Sequence, residues 1–157
     1  MIERGVGRVI QVSSQGHRFG GLNLSDLDWA RRPYLGLRAY GAAKTAQLLC
    51  TWEFADQLTG TGVTIVAMHP GAVKSNVGNN NGPLYRWFKR TFVAPTLDEV
   101  EISGIALHTL AAAAEVHHGR YHNLTRLEKP APHALDREVG REVWELSQAL
   151  AERFGTT

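Results

Sequence analysis

A chain of 157 residues, 43% of them apolar, is long enough for one domain with a packed core. Its formal net charge is +2, with acids and bases interspersed, so no nucleic-acid partner and no membrane-surface role is expected. The single cysteine, Cys50, excludes an internal disulfide framework and suits a reducing compartment. No stretch approaches the ~20 continuous apolar residues of a membrane span. The opening Met1-Ile2-Glu3-Arg4 lacks the apolar region of a signal peptide. A cytoplasmic location is the expectation.

Val9-Ile10-Gln11-Val12, bounded by Gly7-Arg8 and Ser13-Ser14, reads as a buried strand. Residues 15–33 are rich in Gly, Asp, Asn and Arg and read as a long irregular connection, the kind of loop that is usually functional. From about Ala39 to Leu58 the pattern becomes helical, with Ala42, Ala46, Leu49, Phe54 and Leu58 on one apolar stripe. Gly60 and Gly62 end that helix. Val63 to Met68 is nearly all apolar, as suits a strand covered on both faces of a parallel sheet.

After His69-Pro70-Gly71 comes a loop with Gly78-Asn79-Asn80-Asn81-Gly82-Pro83, then an aromatic and basic segment from Leu84 to Arg90. Thr96 and Glu99 form a candidate capping box for a helix to about Val116. Gly119 to Leu124 reads as a third strand, and Ala134 to Phe154 as a closing helix with Leu135, Val139, Val143, Leu146 and Leu150 on its apolar side. Repeats and low-complexity tracts are absent from the sequence, so residues 1–157 read as a single α/β domain.

Tyr40 and Lys44 are four residues apart, which on a helix puts phenol and ammonium on one face, one turn apart. A phenol is a poor proton-transfer group near neutrality, and an adjacent cation favours its ionised form. Such a pair can pass a proton to or from an alcohol oxygen. Alone, the spacing fits a surface helix with a buried tyrosine equally well. Ser14 stands at the C-terminal end of the first predicted strand, where open α/β sheets bind ligands. Its hydroxyl can bond a substrate carbonyl, although a turn or helix cap is the plainer reading of Ser13-Ser14 taken alone. At the end of the second strand, Gly71 permits close backbone approach and Pro70 stiffens the turn.

Together, V-I-Q-V-S-S, Y-G-A-A-K and V-A-M-H-P-G-A-V-K-S resemble the short-chain dehydrogenase/reductase family, in wording closest to its retinol-dehydrogenase-like branch. The resemblance covers essentially the whole chain and is densest from Arg8 to Val77. It implies a doubly wound, Rossmann-like parallel sheet of about seven strands, of which this chain carries the C-terminal half, about three strands. It implies that Tyr40 donates or accepts the proton, that Lys44 assists it and bonds the nicotinamide ribose, and that Ser14 orients the substrate oxygen. Pro70, Gly71, Val73 and Ser75 would border the cofactor, which is NAD or NADP. Residues 78–92 would form a substrate lid whose Leu84, Trp87, Phe88 and Phe92 suit a lipophilic alcohol, aldehyde or ketone.

No G-x-x-x-G-x-G turn occurs in the sequence, and the strands that would bind the adenosine half are missing. The expectation is therefore a partial domain whose N-terminal dinucleotide-binding half is absent. Such a piece would be inactive alone, would expose its first strand as an apolar edge, and would form a homodimer or pair with the missing half. The alternative is a non-catalytic, truncated remnant acting through self-association. His117, His118 and His122 offer metal ligands by residue type. The sequence places them in turn and strand with no cysteine or carboxylate to complete a set, so solvated turn histidines are expected and no metal.

Overall fold

The structure, a computed structural model, describes residues 1–71 and 100–155. Strand β1 (Gly7–Val12), helix α1 (Gly36–Leu58), strand β2 (Val63–His69), helix α2 (Val100–Ala112), strands β3 (Tyr121–Asn123) and β4 (Arg126–Leu127), and helix α3 (Arg137–Gly155) follow in chain order. The sheet order is β1-β2-β3-β4. β1 pairs parallel with β2 in the register Val9↔Ile65 and Ile10↔Val66, and β2 pairs parallel with β3 through Ala67↔Tyr121 and His69↔Asn123. β4 pairs antiparallel with β3. This is the expected α/β sheet with one addition. The two-residue β4 carries too short a pattern to be read from sequence.

β2 is mostly apolar, interrupted by Thr64 and ending in His69, because both its faces are covered. Val63 and Ile65 pack with Ala55 and Leu58 of α1, and Ala67 joins Leu48, Leu49 and Trp52 of α1 and Val143 of α3. On the opposite face Met68 meets Ala106 and Leu110 of α2. This alternation is the period-two geometry of a strand. It places α1 and α3 on one side of the sheet and α2 on the other, the doubly wound arrangement.

The stripe expected on α1 needs correction. Gly41, Ala42, Thr45, Leu48, Leu49, Thr51, Trp52, Ala55 and Leu58 are buried, whereas Phe54 is exposed and meets Trp144 of α3 edge-on, with ring centroids 4.8 Å apart. The two buried threonines escaped an apolar count because backbone carbonyls satisfy them: Thr51 donates to Gln47 O, and Thr45 to His17 O and Gly20 O. α3 buries Gly140 and Val143, while Leu146 and Leu150 are exposed. The residues from Ala134 belong first to a 3-10 turn, Pro132–Leu135.

Two polar contacts fasten the helices. The Trp52 indole N–H donates to Ala134 O at 2.8 Å, tying α1 to the turn before α3. Trp52→Phe leaves that buried carbonyl unpaired and should destabilise the fold by about 1–3 kcal/mol, read as a lower urea midpoint with an unchanged m-value. The Arg8 guanidinium of β1 donates to Leu110 O, Ala111 O and Ala113 O at 2.7–2.9 Å, capping the C-terminus of α2. Gly62, at φ +74°, closes against Gly5 so tightly that a Cβ would overlap the Gly5 carbonyl. Any side chain there would also be in an unfavourable backbone region.

β1 lies at the edge of the sheet, and among the described residues nothing pairs with its outer side. Its residues are only half-buried, with Val12 exposed. Among the described residues β1 is thus an edge strand. No helix among the described residues is long and apolar enough to cross a membrane.

Candidate active site

β1 ends at Val12, and the Ser13 N–H still reaches across to Met68 O of β2 at 2.7 Å. This holds Ser14 at the C-terminal lip of the sheet. Ser14 then caps the 3-10 helix Gln15–Phe19: its Oγ accepts the Gly16 N–H at 3.0 Å. The capping role and the site position thus coexist. Accepting from Gly16 leaves the Ser14 hydroxyl proton free to be donated elsewhere.

Gly16 is the residue that brings the site together. A Cβ there would overlap the Tyr40 ring at Cε1 and Cδ1 and would lie 3.3 Å from Ser14 Oγ. The Tyr40 ring therefore packs directly over Gly16, next to the serine hydroxyl. Tyr40 is 40% exposed, so its face opens to solvent. On the next turn of α1, the Lys44 ammonium lies 5.9 Å from the Tyr40 ring centroid and donates to Gln47 Oε1 at 3.0 Å. Burial pushes the Lys44 amine below its ordinary value. Gly41 makes the docking of α1 possible: a Cβ there would stand 2.8 Å from Gly20 N and 2.9 Å from Gly16 O. Ser14, Tyr40 and Lys44, expected from sequence, meet at one lip of the sheet.

The second loop at this lip follows β2. Pro70 and Gly71 are described, Gly71 at φ +81°, a conformation that glycine adopts freely. Pro70 O accepts from Ser103 Oγ of α2 at 2.6 Å. Val73 and Ser75 lie outside the described residues, as do the expected lid at 78–92 and the Thr96–Glu99 capping box.

Sequence reasoning missed the polar groups beneath this lip. His69 stacks on the Tyr121 ring at 5.7 Å, and its Nδ1 accepts the Gly71 N–H at 3.1 Å. Its Nε2 lies 3.2 Å from the Gln15 side-chain nitrogen and 3.6 Å from Glu128 Oε2. Glu128 in turn holds Arg18 at 2.6 Å. His17 is fully buried between Ser14 and Ala131. The links from Arg18 to Glu128 and from His17 to Ala131 span more than a hundred residues of sequence, so no local spacing announces them. The Ser-x-Gly run at 14–16 was the one available hint.

His118 is no solvated turn residue. Its Nδ1 accepts the Ile65 N–H and its Nε2 bonds Ala55 O at 2.7 Å, a bridge between β2 and α1. His122 is likewise buried, with Nδ1 facing Ala67 O. The expectation of solvated histidines fails for His118 and His122, whose rings bond backbone groups, while His117 is exposed.

Burial lowers the pKa of His17, with the bond to the Ser14 carbonyl partly offsetting it. Burial also lowers those of His69 and His122, offset in His69 by Glu128 and in His122 by the Ala67 carbonyl. The unfolded chain takes up protons near the ordinary histidine pKa of about 6.5, and the folded chain resists them. This stabilisation is complete above about pH 6.5 and is lost as the pH falls toward the lowered folded values. Thermal melts at constant ionic strength should show a falling Tm from pH 7.5 to 5.5.

The model of the family described as "short chain dehydrogenase" matches residues 1–84, and this chain belongs to that family. Its sequence relatives are retinol-dehydrogenase-like. Human retinol dehydrogenase 13 is 34% identical over 149 residues, covering 91% of this chain and 45% of the relative. Human retinol dehydrogenase 14 is 30% identical over 151 residues, with coverages of 91% and 44%. Dehydrogenase/reductase SDR family member 13 from Bos taurus is 37% identical over 154 residues, with coverages of 92% and 39%. The chain thus spans less than half the length of these relatives. Among solved structures, an uncharacterised protein from Mycobacterium paratuberculosis superposes with a TM-score of 0.68 at 25% identity, over 94% of this chain and 51% of the other. The NADPH-bound carbonyl reductase from chicken fatty liver gives 0.53 at 22% identity, over 81% and 46%, and supports the fold.

Proposed function

We propose that residues 1–157 form the acid–base part of a nicotinamide-dependent oxidoreductase that interconverts a lipophilic alcohol with its aldehyde or ketone. The observation that carries this reading is the Tyr40 ring lying over Gly16 beside the Ser14 hydroxyl, with the Lys44 ammonium one turn away. In the reductive direction Ser14 donates a hydrogen bond to the carbonyl oxygen and stabilises its developing charge. Tyr40 delivers the proton that completes the alcohol. Lys44, a cation on the same helix face, favours the tyrosinate left behind. NAD or NADP, when bound, supplies or accepts the hydride.

The residues present suit one end of that cofactor. The Lys44 ammonium can bond a ribose hydroxyl, and the backbone at Pro70-Gly71 allows a flat ring to approach; Val73 and Ser75 are proposed to continue that wall. A phosphate seat of the glycine-rich kind is absent from the sequence. We therefore assign tight cofactor binding to the complementary half of the domain, paired along the open edge of β1, with a second copy of this chain as the other candidate for that edge. The lipophilic substrate is inferred from the retinol dehydrogenases among the relatives. A cytoplasmic location is proposed from the single cysteine, Cys50, which suits a reducing compartment.

The test is titration of NADH and NADPH into the purified chain, followed by turnover of nonanal at saturating cofactor. Binding with a Kd of about 1 mM or weaker, with slow turnover, is expected. Micromolar affinity with fast turnover would show that the chain needs no complementary half. Absence of turnover while NADH or NADPH is measurably bound would contradict the oxidoreductase reading.

A further inference from the structure

Among the described residues, the buried imidazole of His17 links the Ser14 backbone to the turn before α3. His17 is 0% exposed. Its Nε2 lies 3.1 Å from the Ala131 backbone N–H, which can only donate, so Nε2 must carry the lone pair. The ring proton therefore sits on Nδ1, 2.8 Å from Ser14 O, to which it donates. The His17 backbone N–H points to the same carbonyl at 3.4 Å. The His17 carbonyl in turn accepts from Thr45 Oγ1 of α1, the residue after Lys44, at 3.3 Å, and from His133 Nε2 at 2.7 Å. One residue thus joins the backbone of Ser14, the helix bearing Tyr40 and Lys44, and the turn before α3.

We infer that His17 is a positioning residue: its neutral imidazole, protonated on Nδ1, clamps the Ser14 carbonyl to Ala131 and so fixes the Ser14 hydroxyl beside the Tyr40 ring. The inference rests on the reading of Ser14 and Tyr40 as the acid–base pair. Only the neutral Nδ1–H tautomer makes both bonds; protonation at Nε2 sets a donor against the Ala131 N–H. The charged and titratable neighbours are arranged consistently. Arg18 on the same 3-10 helix and His133 from the following turn disfavour a cation at His17, and Glu128 partly opposes them. The Tyr121 ring of β3, edge-on at 5.3 Å, closes the remaining side.

Two measurements test this, one of them independent of turnover. In the full chain labelled with 15N-histidine, the His17 ring should show a protonated Nδ1 and a bare Nε2 at pH 7.5, and should keep that state down to the onset of unfolding. A protonated Nε2, or titration near pH 6.5 with the fold intact, would overturn the clamp. The second measurement follows NADPH oxidation by nonanal in His17→Ala, His17→Asn, Ser14→Ala and the His17→Ala/Ser14→Ala double variant, with folding checked by near-UV circular dichroism. Loss of the clamp should lower kcat by roughly ten- to a hundred-fold with the cofactor KM unchanged. The asparagine amide, which can still donate to Ser14 O, should restore part of it. Removing His17 on the Ser14→Ala background should cost almost nothing further, because both act through one hydroxyl. Full additivity in that cycle, or an asparagine variant no better than alanine, would reduce His17 to a packing residue. If Ser14→Ala and Tyr40→Phe leave turnover untouched, it is the proposed function that fails, while the tautomer measurement still decides the geometry.

Discussion

Replacing Tyr40 by phenylalanine is expected to lower turnover by roughly 10²–10⁴-fold while leaving the fold in place, because positioned proton transfer contributes about that much. The ring is what packs over Gly16, and phenylalanine keeps the ring. The hydroxyl it removes is the group proposed to pass the proton. The face of Tyr40 is open to solvent, so the loss of one oxygen leaves no cavity in the core. The expected signature is a fallen kcat with an unchanged Tm and an unchanged cofactor KM, read by steady-state kinetics alongside a thermal melt. A Tyr40→Phe protein that keeps the wild-type rate would remove the central residue from the account.

The second large effect falls on stability. Gly41→Ala adds one methyl group where α1 crosses the Ser14 loop, and its nearest neighbours are backbone atoms, Gly20 N at 2.8 Å and Gly16 O at 2.9 Å. A flexible side chain could swing away from such a methyl; a backbone turn cannot without moving the loop. A loss of about 2–3 kcal/mol is expected, seen as a Tm lower by roughly 4–12 °C for a chain of this size. Gly36→Ala, at the start of α1, meets nothing within 4 Å among the described residues and serves as the control, neutral or slightly stabilising. Because the shifted loop carries Ser14, Gly41→Ala should also cost activity in whatever fraction remains folded. Equal melting temperatures for the two variants would show that α1 does not rest on that loop as tightly as its geometry demands.

Much of this architecture was legible from local pattern. The continuous apolar run of β2 announced a strand covered on both faces, and Met68 and Ala67 do face opposite helices. The order strand, serine, helix with Tyr40 and Lys44, strand, His69-Pro70-Gly71 located the lip of the sheet, since each signal lies within a few residues of the element that carries it. What was lost depends on contacts between distant parts of the chain. Phe54 looked like core because the apolar stripe was counted without Thr45 and Thr51, whose hydroxyls return to backbone carbonyls. β4 exists because Leu127 meets His122 across a turn, and two residues carry no periodicity. The bridging role of His17 is hidden because its second partner, Ala131, lies more than a hundred positions away. Residue type and spacing say nothing of the environment of His118 and His122, which is set by backbone groups of β2 and α1.

The same distinction separates the proposed chemistry from its cofactor. Ser14, Tyr40 and Lys44 sit on contiguous local structure and are brought together within this chain. A dinucleotide needs a phosphate seat as well, and the relatives are more than twice as long as the segment matched here. Among the described residues nothing pairs with the outer side of β1, and we propose that the sheet continues there, over half-buried Val9 and Ile10.

The most direct test of the central claim follows the hydride and the proton together. NADPH and NADH deuterated at the transferable position are incubated at millimolar concentration with nonanal, and the alcohol is examined by mass spectrometry. Deuterium at the carbinol carbon with the wild-type chain, and its near disappearance with Tyr40→Phe at equal cofactor occupancy, is the predicted result. An alcohol without deuterium, or labelling undiminished in the phenylalanine variant, would contradict it.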